Sequence, residues 1–267
     1  MKNETKKDKS KKRFSPVAVI LIMICVGVFA FSAYKLVPML LEYAQGDKEY
    51  SELTDVAEFP LPEDIPSAPS DNADASETLA MLNRNFSALS EINPDVVGWI
   101  TLPNTVINYP VVKGEDNQKY LHTTFDGTYN KNGCIFLDKS NSADFSDANS
   151  LIYGHHMKSG SMFARLCDYK EQDFYDKNPV LYLYMPEHIY ELQVFSAYVS
   201  EKTADYYSKD FENDAQKLAY FEELRGRSQI SSNVELGEND RIITLQTCTY
   251  EFYDARFIVH AKIVAIS

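Results

Sequence analysis

Arg241-Ile-Ile-Thr-Leu-Gln-Thr-Cys248 is a strand-like run that ends on a cysteine. Arg256 follows eight residues later, at the head of a second such run, Phe257-Ile-Val-His-Ala-Lys-Ile-Val264. Both runs are dense in β-branched residues, which pack well on a pleated surface. Thr249 to Ala255, between them, suits a hairpin loop. If residues 248 and 256 face one another across that hairpin, their side chains share one face of the sheet. Cysteine can then supply an attacking sulfur, and the permanent cation can stabilise an oxygen that gains charge or lower the thiol pKa. A structural cysteine beside a structural arginine is the alternative reading of this pair.

Such chemistry needs a base, and the five histidines differ in promise. In the same register His260 lies opposite Thr244, four residues from Cys248. At roughly 3.3 Å per residue that is about 13 Å along the strand, beyond hydrogen-bond reach. His260 therefore reads as a structural strand residue, and His122 and His188 as surface or packing residues. His155 and His156 end the apolar segment Leu151-Ile-Tyr153 and follow Gly154. A glycine there lets the backbone turn sharply or approach a neighbour closely. Adjacent residues of an extended segment point to opposite faces, so one of the two reaches the sulfur. The residues alone do not choose between them.

Taken together, Thr244-Leu-Gln-Thr-Cys248, Arg256 after it and Tyr153-Gly-His-His156 before it resemble the sortases, cysteine transpeptidases of Gram-positive cell surfaces. Asn93-Pro-Asp-Val-Val-Gly-Trp-Ile100 and Asn108-Tyr-Pro-Val-Val112 are similar to the family's early barrel strands. The resemblance covers Ser76 to Ser267. It implies a mostly β fold: a closed sortase-like barrel with an N-terminal helix and a long helix inserted before the cysteine-bearing strand. It also implies that Cys248 is the nucleophile, His155 the acid/base and Arg256 the oxyanion and substrate stabiliser, with Thr247 next to the nucleophile on the substrate. The doubled histidine and the long helix are most like class B members. The implied partners are secreted proteins bearing a C-terminal sorting motif and a peptidoglycan stem or cross-bridge amine. No metal or organic cofactor is implied.

The inserted helix is expected over Asp210 to Arg225, where Phe211, Leu218, Phe221 and Leu224 can share one face. It reads as scaffold, or as one wall of a peptide groove. Tyr206 and Tyr207, just before it, are candidate substrate-binding residues.

Pro16 to Tyr34 are nineteen uncharged, mostly apolar positions, the length a membrane-spanning helix needs. Residues 1–14 carry seven basic and two acidic side chains, a flank that the positive-inside rule keeps in the cytoplasm. A cleaved signal peptide is the rival, with Ala30-Phe-Ser32 as a loose cleavage site, but the apolar run exceeds a signal core. The expected layout is a basic cytoplasmic tail (1–14), a signal-anchor (15–41), an extracytoplasmic spacer (42–75) and a catalytic domain (76–267). This places a single-pass enzyme in the cell membrane with its catalytic domain outside. Against a tail of +5, the formal net charge of −13 leaves −18 on the remainder. An acidic domain of this kind is a poor partner for nucleic acid.

The spacer expectation rests on Pro60, Pro62, Pro66 and Pro69 among acidic residues. A helix is expected from about Ser76, with Leu79, Leu82, Phe86 and Leu89 as its apolar stripe. Further strands are expected at Val96–Leu102, Val106–Val112, Cys134–Leu137, Leu151–Tyr153, Val180–Tyr184 and Tyr190–Tyr198. Four scattered cysteines do not form a disulfide framework. Core packing is expected for Cys134 and Cys167, a bridge between them being the alternative. No C-x-x-C or H-E-x-x-H spacing supports a zinc site. Two other functions fit the same residues: a cysteine peptidase that passes its acyl group to water, and an anchored binding barrel without catalysis.

Overall fold

A computed structural model describes residues 15–60 and 72–266. The chain divides into two compact units, Met1–Glu42 and Tyr43–Ser267. Helix α1 (Pro16–Val56) contributes to both, and α2 is Asn72–Ile92. Eight strands follow: β1 (Val96–Thr101), β2 (Asn108–Val112), β3 (Ile135–Leu137), β4 (Asn149–Tyr153), β5 (Val180–Tyr184), β6 (Ile189–Glu201), β7 (Ile242–Cys248) and β8 (Ala255–Ala265). A 3-10 segment, Ala164–Lys170, and helix α3 (Gln172–Lys177) precede β5, and α4 (Asp214–Gly226) precedes β7. The strands close into one barrel in the order β1-β2-β3-β4-β7-β8-β6-β5. Closure pairs every edge. The β2–β3 and β4–β7 pairs are parallel and the rest antiparallel.

Strand β7 is buried on both faces because its alternate residues serve two cores. Ile243 and Leu245 join the barrel interior with Trp99, Ile152, Leu183 and Val259. Ile242, on the outer face, packs with Phe195 and with Phe221 and Leu224 of α4. The predicted inserted helix is therefore present. It starts at Asp214, later than the apolar pattern suggested, because Asn213 is extended and accepts the Gln216 N–H at 2.9 Å as a helix cap. Phe211 lies ahead of the helix yet still packs against this cluster.

Helix α2 buries Leu82, Phe86 and Leu89, as its three- and four-residue spacing predicts. It starts at Asn72, a turn before the expected Ser76. In the first unit, α1 exposes Val19, Ile20, Leu21, Ile22 and Phe29, and it is long and apolar enough to cross a membrane. The second unit brings a correction. Of the expected spacer 42–75, residues 43–56 are helical here, and Tyr50, Leu53 and Ala57 are buried in the main core. Tyr50 donates to the Gly133 carbonyl and meets Tyr109 edge-to-face at 5.3 Å. Phe59 stacks on Trp99 at 4.9 Å. The signal was present in the three- and four-residue steps from Tyr50 to Leu53 to Ala57, masked by acidic neighbours. Pro62, Pro66, Pro69 and the basic tail 1–14 lie outside the described residues.

Cys134 is buried one residue ahead of β3, and Cys167 is half-buried on the 3-10 segment; both are free thiols.

Candidate active site

Strand register brings the cysteine and the arginine together. Cys248 is the direct cross-strand partner of Arg256, and Thr244 that of His260, as the hairpin reading required. Arg256 keeps only 12% of its side chain exposed. It donates from Nη1 to the Ala255 carbonyl at 3.0 Å, and its nearest carboxylate oxygen, on Asp254, is 3.6 Å away. Asp254 has φ of 60°, so the hairpin enters β8 through a left-handed residue.

The histidine arrives from the neighbouring strand. Tyr153 of β4 pairs with Gln246 of β7, and the Gly154 N–H extends that ladder to Gln246 O at 3.0 Å. A Cβ on Gly154 would sit 2.5 Å from Ile135 Cδ1 and from the Phe163 ring. Only glycine lets the backbone pass this close, which delivers His155 to the end of β7. His155, Cys248 and Arg256 line one hollow of about 100 Å³, with Gln246, Thr247 and Leu121. Phe136 and Tyr153, stacked at 5.0 Å, complete its apolar wall. A larger hollow of about 760 Å³, bordered by Phe59, Leu102 and Tyr184, contains neither thiol nor imidazole. Size does not locate the chemistry here.

His155 Nε2 lies 2.7 Å from the Leu121 carbonyl. A carbonyl has no proton to give, so Nε2 carries the hydrogen and the neutral ring keeps its lone pair on Nδ1. Burial holds the His155 pKa below the ordinary imidazole value, and the bond to Leu121 offsets this only in part. His122, read as a surface or packing residue, is exposed but stacks on His155 at 6.0 Å. Its charge, when present, pushes the same way. His156, the alternative base, takes a different position: its Nδ1 is 2.8 Å from the Cys248 carbonyl oxygen and 3.4 Å from Cys167 Sγ.

The remaining candidates separate. Thr247 borders the hollow, is buried, and its hydroxyl has no partner among the described residues. Alternation puts it on the inward face of β7 with Ile243 and Leu245, opposite Cys248. Tyr206 is buried and donates its hydroxyl to Gln246 Oε1 at 2.7 Å, immediately behind the wall. Burial raises its pKa, and the Arg256 charge pulls it back down. Tyr207 lies farther along, donating to Asn141 Oδ1 at 2.9 Å and sitting 3.0 Å from Ser140 Oγ. Helix α4 organises this segment: Tyr220 OH accepts from the Ser208 N–H at 3.0 Å, and Arg227 donates to the Asp205 carbonyl.

Sequence reasoning passed over Leu121, Phe136, His122 and Gln246. Gln246 was findable, since it sits two residues before Cys248 and so on the same strand face. Leu121 acts through its carbonyl, which carries no mark in the sequence.

A family model described as "Sortase domain" matches residues 100–264. The Staphylococcus aureus protein "Sortase B" is 33% identical over 258 residues, covering 96% of this chain and 99% of its own. "Sortase B" of Listeria monocytogenes is 33% identical over 248 residues, 91% of this chain and 95% of its own. Among solved structures, a Staphylococcus aureus sortase B–substrate complex superposes with a TM-score of 0.72 at 32% identity, over 85% of this chain and 100% of that one.

Proposed function

The chain belongs to the sortase family of cysteine transpeptidases, class B in kind, and from that premise we propose that it cleaves a C-terminal sorting motif after threonine and joins the released acyl group to a peptidoglycan amine. The observation that carries this reading is the single hollow lined by His155, Cys248 and Arg256. In the first half-reaction His155 Nδ1, the free lone pair of the neutral ring, takes the thiol proton. The thiolate of Cys248 attacks the threonine carbonyl carbon, and the Arg256 guanidinium stabilises the oxygen as it becomes negative. Collapse breaks the peptide bond, and the imidazolium returns its proton to the departing amine. The thioester on Cys248 is then attacked by the acceptor amine, whose proton passes to His155 as the sulfur leaves. A depressed His155 pKa suits this cycle, because the resting ring is neutral and ready to accept.

Gln246 and Thr247 border the hollow that a threonine-containing peptide would enter, with Tyr206 bracing Gln246 from behind and Tyr207 farther along. The apolar part of α1 anchors the enzyme in the membrane, with the basic residues 1–14 in the cytoplasm and the catalytic domain outside. Both the unanchored cargo and the growing wall are found on that outer face. By family likeness the motif is of the N-P-x-T-N or a related x-P-x-T-x kind.

The test is incubation of the detergent-solubilised chain with x-P-x-T-x peptides and candidate stem-peptide amines, followed by mass spectrometry. A peptide acyl group on Cys248 that moves to an added amine is the expected result. Transfer to water alone, at every amine concentration, would make the protein a peptidase. Absence of any adduct would leave a binding barrel.

A further inference from the structure

Strands β4 and β7 run in parallel register until Gly154, whose N–H donates to Gln246 O. Acceptors on one side of a strand recur every second residue, so the next β7 carbonyl on that side is Cys248 O. Its regular donor would be the backbone N–H of residue 156. The chain has already turned away: His155 O accepts from Phe163 N at 2.9 Å, and His156 forms an isolated bridge with Met162. The Cys248 carbonyl is met instead by the His156 ring, with Nδ1 at 2.8 Å. Nδ1 must carry the hydrogen, since the carbonyl cannot.

We propose that His156 is a positioning residue for acyl transfer: its imidazole replaces the missing rung of the β4–β7 ladder and fixes the nucleophile's backbone relative to His155, its neighbour in the chain. The proposal rests on the reading of Cys248 as nucleophile. On the other side of the same strand end, Thr249 N donates to Ala255 O at 3.1 Å. With both bonds made, Cys248 is held between β4 and β8 although β7 ends there. Tyr250 keeps the ring in place, edge-on at 5.1 Å, with its hydroxyl donating to the His156 carbonyl at 3.4 Å. Cys167 Sγ, 3.4 Å from the same nitrogen, is the weaker competitor: it is farther away and a softer acceptor, and burial keeps its thiol neutral by raising its pKa to about 11.

Two amides of different reach separate positioning from polarity. His156→Asn keeps an N–H donor close to the Nδ1 position, whereas His156→Gln carries the same group one methylene farther out. On a motif peptide, the Asn variant of the full chain should keep kcat within about threefold, and the Gln variant should lose about tenfold or more, with KM moving less than about twofold in both. Amide hydrogen exchange at Thr249, which needs no substrate, should quicken by about tenfold in the Gln variant and stay unchanged in the Asn variant. Equal kcat in the two variants, or an unaltered Thr249 amide in the Gln variant, would overturn the proposal. If the unsubstituted chain forms no acyl adduct on Cys248, the functional reading fails and the positioning role with it, while Thr249 exchange still reports the hydrogen bond.

Discussion

One hairpin, β7–β8, carries two polar regions on its outer face, and they differ in what their surroundings leave undone. Around His260, both ring nitrogens are engaged. The ring is fully buried, its Nδ1 is 2.9 Å from Thr244 Oγ1 and its Nε2 is 3.0 Å from the Tyr198 hydroxyl. Thr244 donates onward to Asn149 Oδ1 at 2.8 Å. Four residues along, at Cys248, the partners are incomplete: His155 has one ring nitrogen engaged and one open, and Arg256 meets its nearest carboxylate only at 3.6 Å. A buried ring with both nitrogens engaged is fixed as structure, whereas groups with unused hydrogen-bonding capacity beside a hollow are available to a substrate. The same residue type, histidine, takes either role according to what covers it.

The sharpest way to break this contrast is at the sulfur. Cys248→Ala should abolish the acyl adduct, whereas Cys134→Ala and Cys167→Ala should leave it intact, since burial pushes both of those thiol pKa values far up and keeps the sulfurs protonated. An adduct on either of the others, seen by peptide mapping, would move the nucleophile. Next in size is Arg256→Lys. It retains the charge but loses the planar fork, and should lower kcat by about 10²-fold or more on a quenched motif peptide. Near-normal turnover would remove Arg256 from oxyanion stabilisation.

The inert end of the hairpin has its own test. Burial holds the His260 pKa at about 3, against about 6.5 in the unfolded chain. The unfolded state therefore binds a proton first as the medium is acidified. The stability tied to this ring is complete above about pH 6.5 and is lost as pH falls towards 3, with a slope of up to about 1.4 kcal/mol per pH unit. His260→Gln should lower stability at neutral pH but flatten the acid limb, as read from urea midpoints across that range. An unchanged acid limb would mean that other groups set it.

The smallest effect is expected at Lys170, which pairs with Glu251 in the hairpin loop and lies 3.3 Å from Thr249 Oγ1. Both partners are about one-third exposed, so Lys170→Met should cost no more than about 1 kcal/mol of stability by thermal melting. A loss several times larger would show that the loop is clamped more firmly than a screened ion pair allows.

The hairpin was legible because its information is local. Two β-branched runs and a loop of suitable length set the register that pairs Cys248 with Arg256 and Thr244 with His260. Gly154 was legible for a similar reason, as a residue whose missing side chain announces a close approach. The C-terminal third of α1 was misread because acidic residues around Tyr50 and Leu53 made an amphipathic helix look like a solvated spacer. The His155–Leu121 bond was illegible in principle. Its acceptor is a backbone carbonyl 34 residues away, and every residue has one.

What the sequence determined by itself was the inventory: an apolar N-terminal segment, a thiol and a guanidinium on adjoining strands, and two histidines behind a glycine. Those follow from composition and short-range periodicity, which act over a few residues. Only closure of the barrel decided which histidine lines the hollow with Cys248 and which one meets the Cys248 carbonyl. That choice depends on where β4 leaves β7, and so on packing between segments about 90 residues apart.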